Sequence, residues 1–471
     1  MTSKLLLILF LLFPASLLAA DHKVSSAADI AAALPNTKPG DTLLLSDGTW
    51  TDQTILFKAD GQPEKTITLR ATTPGKVILT GKSSLKIDGQ YLLVSGLYFK
   101  DGQGNGDAIT LAGQHNRLTD CAITAGQYKF FVHLFGQNNR MDHCYLADKT
   151  SGDPTLQVEV DEKQPNHHQI DNNHFGHRPP LGRNGGETIR VGYSFQSMSS
   201  SATTVEHNLF DRCDGEIEII SSKSCDNIYR NNTFNNCAGF LTLRHGNRCT
   251  VDGNFFFGKG KKGSGGVRVI GEDHLITNNY IADVTDGVFR ITSGIVDSEL
   301  KGYFQAKRCT IAFNTIVNCK GAYLDLDAGI NTSRRTLRPE NITIANNIFH
   351  LPNEKEGVQL IKGAQGQGWK WMGNLASLFE LDIDPPGIHC TDPKLQVARD
   401  GIYRPEPNSP ALHSAQGDFP TIKLDIDGQP REGKYDIGCD QLSDAPITNR
   451  PLTPKDVGPS WSDGLQRTSP P

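Results

Sequence analysis

Asparagine recurs along the middle of the chain in one local setting, Asn-x-Phe or Asn-x-Ile, at Asn173, Asn208, Asn232, Asn254, Asn279, Asn314 and Asn347. The intervals are 35, 24, 22, 25, 35 and 33 residues. A period near two dozen, lengthened in places by about ten residues, describes coils of one repeat, some of which carry loop insertions. Short strand-like runs lie between the asparagines, such as Glu216-Ile-Glu-Ile-Ile220, Phe240-Leu-Thr-Leu-Arg244 and Gly266-Val-Arg-Val-Ile270, with Gly and Asn at the breaks. Helical repeats need longer periods and amphipathic helices, which are absent. The pattern predicts an all-β fold, a single-stranded right-handed parallel β-helix, in which each coil gives three short strands and only stacking buries a core. Asn at one corner of successive coils can bond the backbone of the next and tolerates left-handed dihedrals.

A stack must be closed at its ends. Ser26 to Leu34 reads as a short amphipathic N-terminal cap helix, followed by an early strand at Gly40 to Leu45. Beyond about residue 375 the period stops, and Pro- and Asp-rich text predicts an irregular C-terminal wrap. The expected organisation is an export signal at 1–20, a β-helix domain at 21–443 and a loose Pro-rich tail at 444–471. Lys4, the apolar run Leu5 to Leu18 and the small pair Ala19-Ala20 carry the first expectation, with export to a bacterial periplasm or beyond. That run is too short to span a bilayer, so no membrane association is expected. The 47 basic against 52 acidic residues also argue against nucleic acid as a partner. Cys213, Cys225, Cys237 and Cys249 fall 12 residues apart, so alternate members lie one coil apart. They read as small buried residues in a ladder, mostly reduced, rather than as a disulfide framework or a zinc site.

The candidate chemistry gathers on one face. With Ile217 and Ile219 turned to the core, Glu216 and Glu218 would project outward together as a site for a hard cation. Asn184, about one enlarged coil earlier, could supply a third oxygen. The plainer reading of the pair is a solvated acidic patch, and of Asn184-Gly185 a simple turn. Alignment on apolar positions puts Arg190, Glu218, Arg244, Arg268 and Arg290 in one outward column. Arginines stacked about 4.8 Å apart repel one another unless an anionic chain lies across them; bracing by neighbouring acids is the alternative. Lys223, at the exit of the Glu strand, sits among these cations, so its ammonium should be disfavoured and a neutral amine available as a base. His245 is expected to contact substrate.

Three stretches, Asn184-Gly-Gly-Glu-Thr-Ile-Arg-Val-Gly192, Gly215-Glu-Ile-Glu-Ile-Ile-Ser-Ser-Lys223 and Leu243-Arg-His-Gly246, together with Asp436-Ile-Gly-Cys-Asp440, resemble polysaccharide lyase family six, the β-helical alginate lyases and chondroitinase B. The resemblance runs from the cap helix to about residue 442. It implies a Ca2+ ion held by Asn184, Glu216 and Glu218, with Lys223 as base, Arg244 as acid and a single catalytic domain. Arg190, Arg268, Arg290 and His245 would contact the substrate, an anionic uronate polysaccharide with alginate favoured. Dermatan sulfate is the alternative substrate. A β-helical glycoside hydrolase would need paired acids across the scissile bond, and a β-helical binding protein would need neither Lys223 nor Arg244.

Overall fold

The structure is a computed structural model that describes residues 19–353, 357–377, 387–461 and 465. The expected export signal falls on residues 1–18, which lie outside the described residues, and on Ala19-Ala20. Among the described residues three long parallel sheets of 14, 12 and 14 strands run the length of the stack, each coil giving one short strand to each. The cap helix Ala27–Ala33 starts at Ser26, whose hydroxyl accepts from the Asp29 amide at 3.1 Å. It buries Ile30 against the first coil. No described helix is long and apolar enough to cross a membrane.

The asparagine repeat is a continuous buried ladder. The Asn208 N–H donates to Asn232 Oδ1 at 3.0 Å, Asn232 to Asn254 at 3.0 Å, and Asn254 to Asn279 at 3.1 Å. Each Nδ2 also reaches back to a carbonyl of the preceding coil, as from Asn232 to Val205 at 2.9 Å. The ladder extends past the repeat seen in the sequence, from Asn347 to Asn374 at 3.0 Å. The left-handed turn falls not on the ladder asparagine but on the residue before it, as at His207 (φ 52°), Asn231 (φ 55°) and Asn278 (φ 52°). That residue turns the corner and leaves the next asparagine free to face inward. Two positions on, Phe175, Phe210, Phe234 and Phe256 stack with centroids 4.9, 4.7 and 4.5 Å apart.

All the cysteines except Cys390 are buried. Cys237 Sγ accepts from the Cys213 amide at 3.3 Å, which places the two one coil apart as the spacing predicts.

The segment after residue 444, expected to be loose, is bound along its described length. Asn449 Nδ2 donates to the Ile426 carbonyl and, at 3.3 Å, to Gly253. Leu452 N–H donates to Thr233 Oγ1 at 2.8 Å, Gly458 N–H to the Asn172 carbonyl at 2.9 Å, and Ser460 N–H to Asp120 at 2.6 Å. Trp461 closes against Tyr98. The segment is a strap laid back across the coils, because its backbone donors find acceptors on the corners it passes. Asp436-Ile-Gly-Cys-Asp440 anchors the wrap before it: the Asp436 carboxylate accepts from the His413 and Leu442 amides, and the Cys439 amide donates to Thr315 Oγ1 at 3.0 Å.

Candidate active site

The longest intervals in the asparagine ladder mark the coils that build the site. In the first, the loop after Arg178 carries Asn184 and Glu187. In the later two, insertions meet as a two-stranded antiparallel pair, Gly294–Ile295 with Arg335–Leu337, and bring Tyr303 and Arg335 over the 12-stranded sheet.

Three carboxylates converge. One oxygen each of Glu187, Glu216 and Glu218 lies within 4.8 Å of the others. Glu187 is fully buried with neither carboxylate oxygen hydrogen-bonded, and Glu216 Oε1 is likewise buried without a partner. Burial, then the charges of Glu187 and Glu218, push the Glu216 carboxyl up to about 8. Glu187, absent from the expected set, is therefore the group that completes this cluster. Asn184, which is in that set, stands exposed on the same loop, with no hydrogen bond from its side chain among the described residues. The signal for Glu187 lay in the sequence, three residues after Asn184.

The geometry of the pair also differs from simple alternation. Ile217 is 46% exposed while Glu218 is buried, and the strand begins only at Glu218. Glu216 therefore belongs to the turn before the strand, and the carboxylates meet by convergence of two loops rather than by projecting from one flat strand. Gly186 and Gly215 permit that convergence: a Cβ on Gly215 would stand 2.0 Å from the Gly186 carbonyl oxygen. Buried Arg178 joins the loops, donating from Nε to the Gly186 carbonyl at 2.7 Å and from Nη2 to that of Asp153 at 2.9 Å.

The expected arginine column is corrected in two places. The register runs Gln157, Arg190, Ser221, Thr242, Arg268, Arg290. Glu218 and Arg244 drop out of the row because the pairing shifts between Glu218 and Ile220 and again between Ser222 and Lys223, where Lys223 opposes His245 and Arg244 is passed over. Such irregularities re-aim side chains. Arg244 turns to Tyr303, its Cζ 4.2 Å from the ring centroid and its Nη1 donating to the Gly302 carbonyl at 3.0 Å.

The remaining arginines are partly braced. Arg190 donates to Gln157 at 2.6 Å and lies 3.6 Å from Glu187, Arg268 lies 3.5 Å from Glu218, and Arg290 pairs with Asp286 at 2.9 Å. Lys223 Nζ lies 3.7 Å from Glu187 Oε1 and is largely buried. Burial lowers its pKa and Arg190 and Arg244 push the same way, against the opposing pull of Glu187 and Glu218. His245 is wholly buried beneath Arg244, its Nδ1 3.5 Å from Arg244 Nη1, and burial drives its pKa down to about 2. A neutral ring inside the wall, rather than an exposed contact, is what the fold makes of it.

The chain is similar to several known proteins. The sequence profile described as chondroitinase B matches residues 24–417. Among solved structures, the polysaccharide lyase family six alginate lyase AlyGC is 36% identical with a TM-score of 0.81 over 94% of this chain, which spans 58% of the AlyGC chain. A mannuronic acid specific family six lyase from human gut microbiota is 33% identical, TM-score 0.69, over 77% of this chain and 87% of its own. The family six polysaccharide lyase Pedsa3628 from Pseudopedobacter saltans is 26% identical, TM-score 0.72, over 94% and 99%. No curated protein gives a significant match. On the profile match and these identities, the chain belongs to polysaccharide lyase family six.

Proposed function

We propose that this protein is a calcium-dependent lyase that cleaves alginate by β-elimination and leaves unsaturated oligosaccharides. The observation that carries the reading is Lys223: a largely buried amine with a lowered pKa, placed between a cluster of carboxylates and a set of guanidinium groups. The names of AlyGC and of the gut lyase support alginate as the substrate class. Lys4 to Ala20 supports export as the setting in which such a polymer would be met.

The orphaned oxygens of Glu187 and Glu216, with Glu218, suit a hard divalent cation, since such ions take several oxygen ligands and would relieve three mutually repelling carboxylates. Asn184 has an amide oxygen to add. Bound there, calcium would supply charge neutralisation of the uronate carboxylate, which acidifies the neighbouring C5–H. Lys223 Nζ, whose ammonium burial makes easier to deprotonate, accepts the C5 proton once it has lost its own. Arg190, Arg268 and Arg290 offer guanidinium forks to the carboxylates of adjoining sugars. Arg244 faces the departing O4.

The test is to incubate the pure protein with alginate, dermatan sulfate and pectate, with and without a chelator, and to follow ultraviolet absorbance of the unsaturated product. Absorbance growing on alginate and lost on chelation is expected, with far-ultraviolet dichroism nearly unchanged because the coils bury their own core. Full activity in chelator would sink the cation assignment. Product from dermatan sulfate alone would move the substrate to the sulfated uronan, and none from any polymer would leave a binding protein.

A further inference from the structure

Elimination needs a proton for the leaving O4, and Arg244 is poorly suited to give one. A guanidinium holds its proton with a pKa above about 12, whereas a phenol ordinarily titrates near 10, a difference of two or more powers of ten in acidity. His245 has no proton to spare, since burial keeps its ring neutral.

A phenol stands beside both. Tyr303 lies in the insertion that follows Gly294–Ile295, and its ring is half-buried between Arg244, whose Cζ is 4.2 Å from the centroid, and Arg335, at 4.5 Å. Arg268 is the third neighbour, its Cζ 5.7 Å from the same centroid. The same Arg268 lies 3.5 Å from Glu218, so one guanidinium links the phenol to the carboxylate cluster. The backbone around the tyrosine is fixed at two points: its carbonyl accepts from the Ile295 amide at 2.9 Å, and the Gly302 carbonyl accepts from Arg244 at 3.0 Å.

A proton donor works only if the anion it becomes is stabilised, and three guanidinium groups around one ring meet that need. Burial raises the Tyr303 pKa, but the charges of Arg244, Arg268 and Arg335 outweigh it and bring the pKa below the ordinary phenol value. We propose that Tyr303 donates the proton to the glycosidic O4, with Arg244, Arg268 and Arg335 holding the phenolate that donation leaves. This rests on the elimination reading above.

The step balances without a co-reactant. Lys223 takes the C5 proton, the C5–H electron pair becomes the C4–C5 double bond, and the C4–O4 bond breaks with its pair remaining on O4. The Tyr303 proton then completes the new hydroxyl. An ammonium at 223 and a phenolate at 303 remain, and exchange with water restores both.

Tyr303→Phe keeps the ring between its arginines and removes only the O–H. On oligouronates of whichever polymer the wild-type protein cleaves, kcat should fall about 10²- to 10⁴-fold with KM nearly unchanged. On a uronate bearing 4-nitrophenol at O4, whose leaving group departs without a proton, the same variant should keep most of its rate. Lys223→Ala should lose rate on both. If Tyr303→Phe matches wild type on oligouronates, or loses rate equally on both substrates, Tyr303 is not the donor. Should Lys223→Ala spare both, the elimination reading itself fails and the proposal with it. If dichroism shows that Tyr303→Phe does not fold, 3-fluorotyrosine at 303 replaces it; a more acidic phenol should move the basic limb of the pH profile downward, and an unmoved limb overturns the assignment.

Discussion

Lys223 is useful as a base only while it is neutral, and its neighbours decide at what pH that happens. Because its pKa lies below the ordinary lysine value, kcat/KM should rise with pH as the ammonium loses its proton, and the acid limb of the profile marks that loss. Arg190 is one of the charges pushing the pKa down. Arg190→Gln should therefore raise it, moving the acid limb to higher pH and leaving less neutral amine at a fixed neutral pH. A profile measured on a short oligouronate checks this; a limb that stays or moves downward would show that burial alone sets the lysine. Lys223→Ala should reduce kcat by about 10²- to 10⁴-fold, with a far smaller effect on KM.

The element that holds the coils in line is the asparagine ladder. Asn232→Ala removes the acceptor of the Asn208 amide and the donor to the Val205 carbonyl, both inside the stack. Leaving a buried polar group unpaired costs about 1 to 3 kcal/mol, so a loss on the order of 3 kcal/mol in denaturant unfolding is expected. A loss below about 0.5 kcal/mol, the size of an ordinary surface substitution, would mean the ladder only decorates the corner. Asn ladders leave a regular mark on a sequence, which is why coil, period and insertion sites were all legible. Glu216, Glu218, Lys223 and Arg244 were legible because they sit in quotable local patterns. Row membership was not: the register shifts beside Glu218 and Arg244 change which residue faces which without changing composition. Ile217 misled for a related reason, since alternation predicts a face only inside a strand and the strand starts one residue later. Tyr303 and Arg335 left no local sign because their meeting is made by two insertions pairing across coils.

At the scale of the molecule, a stack of coils would ordinarily behave as a chain of nearest-neighbour contacts, free to fray from either end. The strap changes that by tying Asp120, Asn172, Thr233 and Gly253 to one segment. Deleting residues 444 onward should leave the dichroism of the coils in place and speed amide exchange in the coils around Asp120 and Asn172 by tenfold or more, about 1.4 kcal/mol of local opening. Exchange unchanged there would reduce the strap to a passenger. It also sets an order of events. Ser460 meets Asp120 across 340 residues of chain, so the early coils can stack as they are made but cannot be fastened until the late segment arrives. Closing so long a loop is slow relative to adding a neighbouring coil. Refolding should therefore show a fast phase of coil growth and a later, separate clasping step, visible as Trp461 fluorescence, during which the stack is built but not yet locked.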